Sequence, residues 1–265
     1  MDRTKKAWIS GLFLLVTLCI NTLGALGMIN GLSQKAISDM YITLITPSGA
    51  TFSIWSVIYL LLIASIIMMI VKKEDPYYQT AIDKITRLFW LSCILNVAWI
   101  VSFSYVLIEI SVIWIVAFVV VLSLICKELL AMHEEKRWLL PVSFGMYTGW
   151  LFIATVVNIS AALVKLGWNG FGIPIEILSI ITLIVAILLA LFVLIKNQNP
   201  IFPLPIAWAF FGIFQNLKSA EGFMGKYSSL ETVAIIGMFI FILMALFQFY
   251  RNHFTLLPVK IVDEK

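Results

Sequence analysis

The chain has 265 residues, of which 62% are hydrophobic and 12% charged. Soluble domains carry about a quarter charged residues, so a soluble globular protein is excluded and the composition fits an all-α integral membrane protein partnered by the lipid bilayer. The net charge of +4 reflects basic loops and implies no nucleic-acid partner.

A helix needs about 20 mostly apolar residues to cross the hydrocarbon layer. In chain order that ruler predicts about eight transmembrane helices: Trp8 to Ile29, Ala50 to Val71, Leu88 to Leu107, Ile108 to Leu130, Trp138 to Leu163, Ile173 to Ile195, Phe202 to Leu217 and Thr232 to Tyr250. Met1 to Lys6 followed by an apolar run has the form of a signal peptide. The run is long enough to span, and no small-x-small site follows it, so it reads as the first transmembrane helix. The seventh span is short and is broken by Pro200, Pro203 and Pro205, a feature that also suits transporters. Glu109 marks the narrow boundary between the third and fourth spans.

Basic residues near the spans stay cytoplasmic, and here they alternate between connections. One side takes Arg3, Lys5, Lys6, Lys72, Lys73, Lys84, Arg87, Lys127, Lys136, Arg137, Lys196, Arg251, Lys260 and Lys265; the other takes Lys35, Lys165, Lys218 and Lys226. Both termini are therefore expected in the cytoplasm, with the chain multi-pass in the cell membrane. The connections are too short for a soluble catalytic domain.

The span interiors are nearly free of ionisable groups, which mark ion and proton pathways in membranes. Glu109, Glu176 and Glu231 lie at span edges, His133 and His253 near the cytoplasmic face, and Lys165 at the end of the fifth span. A mid-span Lys for a Schiff base and a mid-span His for haem are both missing. Cys19, Cys93 and Cys126 lack paired spacing and read as core residues, with no disulfide or metal site. No cofactor is required by these residues.

Nine Trp are present. Trp8, Trp138 and Trp168 fit the interfacial aromatic belt, whereas Trp150 falls near the bilayer centre. Residues three or four apart share a helix face. Tyr147, Trp150, Ala154 and Asn158 make one stripe, Asn96, Trp99 and Phe103 a second, and Trp55 and Tyr59 a third. Asn is costly in hydrocarbon unless satisfied, so Asn96 and Asn158 should turn inward and take their aromatic neighbours with them. The stripes read either as helix packing or as the lining of a cavity beneath the connection from Asn30 to Thr46, which is long enough to form a lid. Gly24, Gly27 and Gly31 would allow close helix approach.

Three of these segments resemble the TspO/MBR family, the tryptophan-rich sensory proteins that include the translocator protein once called the peripheral benzodiazepine receptor. Thr46-Pro47 with Trp55 and Tyr59 is similar to the Pro-Pro start of the family's second helix. Ile94-Leu95-Asn96-Val97-Ala98-Trp99, with Phe103, is similar to its Ala-Leu-Asn-x-x-Trp motif. Met146-Tyr147-Thr148-Gly149-Trp150, with Ala154 and Asn158, is similar to its fifth-helix stripe. Thr46 and Met146 stand where the family has prolines, Ser92 stands for a Gln, and no Tyr follows Asn158, so the family's cholesterol consensus is missing. The resemblance implies a five-helix bundle over residues 1–165, followed by a three-helix extension over residues 166–265.

It further implies a porphyrin or other tetrapyrrole as ligand, held by Pro47, Trp55, Tyr59, Asn96, Trp99, Phe103, Tyr147, Trp150, Ala154 and Asn158, with a sensory or transport role and homodimers common. Two other function classes remain open. One is a small-molecule transporter or permease. The other is a light-dependent porphyrin-degrading enzyme in which Trp55 and Trp150 are the catalytic candidates.

Overall fold

The computed structural model describes residues 1–132 and 137–258. His133, Lys136, Lys260 and Lys265 lie outside the described residues. Among the described residues the fold is all-helical, with α1 (Arg3–Ala25), α2 (Gln34–Met40), α3 (Ile54–Val71), α4 (Pro76–Ser104), α5 (Ile108–Leu130), α6 (Leu139–Lys165), α7 (Ile175–Asn197), α8 (Pro203–Lys218) and α9 (Ser228–Arg251). Seven of these segments are long and apolar enough to cross a membrane.

The seventh expected span, α8, has 16 residues. At 1.5 Å per residue it reaches about 24 Å, short of the hydrocarbon thickness. It still runs from one end of the bundle to the other. Just before its start, the Asn199 amide donates to the Pro141 carbonyl at the beginning of α6 (2.8 Å), and near its end Asn216 donates to the Thr46 carbonyl (2.9 Å). Pro203 and Pro205 occupy its first turn and Pro200 precedes it, where a missing N–H costs nothing. The expected proline break inside a span is therefore absent.

Two helix ends and one connection depart notably from the hydropathy reading. α4 begins twelve residues before Leu88, because the Asp75 side chain accepts from the Tyr77 N–H (2.9 Å) and Pro76 opens the helix. Its first turns are polar, so an apolar ruler passes over them. There Arg3 and Lys6 bind Asp83 at 2.8 and 2.6 Å, outside the hydrocarbon span. α1 stops at Ala25, and Gly27 and Gly31 turn the chain away at φ of +73° and +76°, a left-handed region that glycine enters without steric cost. These two glycines thus belong to a turn and not to a packing face. The lid connection contains α2, started by Ser33 accepting from the Ala36 N–H.

Contacts at one end join the beginning of α1 to the 72–75 turn, through Lys73 and Thr4, and that turn to Arg137. The Asn252 amide, at the end of α9, donates to Gln198 just beyond α7. The described beginning and end of the chain therefore share one end of the bundle. Segment 26–49 and the Lys165–Glu109 ion pair (2.6 Å) lie at the other.

The core is continuous across α1 and α3 to α9. Cys93 and Cys126 are buried in it, but Cys19 is exposed on the outer face of α1, because its neighbours Thr17 and Asn21 take the inward positions. α6 and the chain leading into α8 approach closely at Gly145 and Gly149. A Cβ at Gly145 would sit 2.8 Å from the Asn199 amide, and one at Gly149 would collide with the Phe202 carbonyl.

Candidate functional site

A cavity of about 360 Å³ lies under segment 26–49, enclosed by α1, α2, the start of α3, α4 and α6. Its size is within the ordinary range for small-molecule sites. The 3-10 turn Gly49–Ser53 leads into α3 and places Trp55 in that helix's first turn.

Trp55 is the hub of the wall. Its ring stacks on Tyr59 (centroids 5.2 Å apart, 25° between planes), tilts against Trp99 (6.3 Å, 32°) and meets Trp150 edge to face (6.1 Å, 87°). Tyr147 approaches the same ring from below at 6.1 Å and 78°. Offset and edge-to-face pairs each add a fraction to about 1.5 kcal/mol beyond their buried area.

Eight of the ten sequence candidates line the cavity: Pro47, Trp55, Tyr59, Trp99, Phe103, Trp150, Ala154 and Asn158. Asn96 and Tyr147 sit behind the wall. Tyr59 Oη donates to Asn21 Oδ1 (2.8 Å), Asn21 Nδ2 donates to Asn96 Oδ1 (2.6 Å), and Asn96 Nδ2 donates to Tyr147 Oη (2.9 Å). This chain crosses from α3 through α1 and α4 to α6. Asn158 is also engaged, accepting from Trp99 Nε1 and donating to Ser111 Oγ, both at 3.0 Å. Asn158 thus orients the wall residue Trp99 and Asn96 holds Tyr147 behind the wall, and both asparagines use their hydrogen-bonding capacity between helices.

Trp150 differs. It is 2% exposed, it lines the cavity, and its indole N–H has no hydrogen-bond partner. A buried donor left unpaired costs about 1–3 kcal/mol. Gln34 of α2, also in the wall, has a buried and unpartnered Nε2. Lys35 beside it is held by Asp39 at 2.5 Å and is, among the described residues, the single cation of the lining.

Sequence reasoning missed Asn21, Gln34 and Phe52. Asn21 was findable, since an amide near the end of an apolar span carries the same implication as Asn96. Phe52 meets Trp150 edge to face at 5.9 Å; it lies in a 3-10 turn, where helical spacing gives no face to read. Among the described residues no group of His, Cys, Asp or Glu could hold a metal ion.

A family model described as TSPO-like protein matches residues 7–247, from α1 into α9 and across the expected boundary at residue 165. No curated protein and no solved structure matches the chain.

Proposed function

This chain belongs to the TSPO-like protein family, and from that premise we propose that its membrane bundle binds a planar, largely apolar ligand of the porphyrin or tetrapyrrole class. The observation that carries the reading is the cavity wall of Trp55, Tyr59, Trp99 and Trp150 with an unpaired indole N–H at Trp150. Flat aromatic surfaces offer stacking to a conjugated ring system, and burial at about 25 cal/mol per Å² supplies most of the affinity. The Trp150 N–H would then meet an acceptor at the ligand's polar edge.

Among the described residues the lining holds no His, Cys, Asp or Glu, and its Lys35 is paired with Asp39, which favours binding in a sensory or transport role over turnover. Lys and Arg concentrate at the end that carries the described beginning and end of the chain, which supports placing that end in the cytoplasm and the protein in the cell membrane. The unbroken α8 removes one feature that favoured a permease.

The test is quenching of tryptophan fluorescence by protoporphyrin in the purified protein. Trp150→Phe removes the donor and should weaken binding about two- to tenfold, the equivalent of one hydrogen bond. A signal unchanged by protoporphyrin, or quenching that is identical in the Trp55→Phe/Trp150→Phe double variant, overturns the reading.

A further inference from the structure

Segment 46–52 forms the rim of the cavity and contributes Pro47, Gly49 and Phe52 to it. Its local hydrogen bonds, such as Thr51 N–H to the Ser48 carbonyl, stay within the loop. Apart from its continuation into α3, where the Ile54 N–H bonds back to the Thr51 and Phe52 carbonyls, the rim is tied to the bundle, among the described residues, by hydrogen bonds to α8. Asn216 Nδ2 donates to the Thr46 carbonyl (2.9 Å), Trp208 Nε1 donates to the Thr51 carbonyl (2.9 Å), and the Ser48 N–H donates to the Gly212 carbonyl (3.0 Å). Ser48 Oγ adds a longer bond to Gln215 Oε1 (3.3 Å). Gly212 lies so close to Thr51 that a Cβ there would collide with the Thr51 side chain.

The start of α8 is seated just as closely on α6. The Phe202 carbonyl occupies the space a Cβ on Gly149 would need, and Asn199 packs on Gly145. Gly149 directly precedes Trp150. One short helix therefore touches both walls, the rim with Phe52 and the α6 turn with Trp150.

We infer that α8 is a strut of the cavity, setting the spacing between the 46–52 rim and the Trp150 turn, with Trp208, Gly212 and Asn216 as its positioning residues. None of the three lines the cavity; they act through the rim. The C-terminal part of the chain thereby gains a role in ligand access. The claim about access rests on the ligand reading above, and the claim about rim geometry does not.

The test is hydrogen exchange of backbone amides in detergent or nanodiscs, comparing wild type with Asn216→Ala and, separately, with Trp208→Phe, which keeps an aromatic ring and removes the N–H. Each variant deletes one anchor, so amides in 46–52 should exchange about fivefold faster, with α4 and α5 unchanged. Rim exchange equal to wild type in both variants overturns the strut, and so does an equal rise in α4 and α5. Protoporphyrin affinity is measured on the same samples. A faster rim with unaltered affinity overturns the role in access, whereas a wild type that does not bind protoporphyrin overturns the ligand reading and leaves the exchange result standing.

Discussion

Asn21→Leu probes the polar chain behind the cavity at its most connected point. The substitution is close in volume and deletes two interhelical bonds, one received from Tyr59 Oη and one given to Asn96 Oδ1. Interhelical bonds of this kind in membranes average about 0.6 kcal/mol. Asn96 is 0% exposed, so its stranded Oδ1 adds about 1 kcal/mol of desolvation cost. The expected loss is about 2 kcal/mol. Tyr59→Phe deletes only the first bond, and Asn21 Oδ1 lies at the cavity wall, where water can reach it; the expected loss is about 0.6 kcal/mol. Equilibrium unfolding in mixed micelles, followed by circular dichroism, separates these values. Asn21→Leu within about 0.3 kcal/mol of wild type, or Tyr59→Phe as damaging as Asn21→Leu, would refute the idea that burial of Asn96 sets the cost.

Gly149→Ala should destabilise by about 1–3 kcal/mol or abolish folding, because its Cβ meets a backbone carbonyl. Gly11→Ala, whose Cβ would lie 3.6 Å from Ile66, should be neutral or mildly stabilising in the same unfolding assay. Asp75 gives a pH signature: partial burial pushes its carboxyl up, yet the Tyr77 N–H and the Arg137 guanidinium outweigh this and hold it below the usual carboxylate range. Its contribution is fully present above the unfolded value of about 3.9 and is lost as pH falls through the lower folded value. Stability of Asp75→Asn should therefore converge on wild type in acid and diverge above about pH 4. In a cysteine-free background, Lys5→Cys and Arg251→Cys should label from one membrane side and Trp168→Cys from the other; labelling of the first two from opposite sides would overturn the shared end of the termini.

Apolar runs of more than 20 residues made the long helices readable, because hydrophobic length is the dominant constraint on a spanning helix. α8 was placed correctly near Phe202 to Leu217, but its proline pattern suggested a break. Proline is tolerated in a first turn and disruptive within a helix, and the sequence cannot say which turn is first until the Asn199 contact sets the start. Cys19 was misplaced for a related reason: with polar Thr17 and Asn21 turned inward, an inverted face was invisible to a reading that sends apolar residues to the core. For the cavity, helical spacing put Trp55, Trp99 and Trp150 each on a face of its own helix, and it took the cost of burying Asn96 and Asn158 and the family resemblance to turn those faces toward one another. What spacing could not show was which polar groups were already taken. Asn96 and Asn158 look like ligand contacts in a stripe, and only their partners on other helices reveal them as braces. The α8 contacts join residues more than 150 positions apart, beyond any local signal.

The crowding of indoles around Trp55 has a photophysical consequence. Trp55 lies 6.3 Å from Trp99 and 6.1 Å from Trp150, centroid to centroid, so three of the protein's nine tryptophans share one neighbourhood. A quencher seated against Trp55 stands beside the other two as well, and replacing one ring alters the surroundings of its neighbours, so the emission of the cavity is to be read from combined rather than single substitutions.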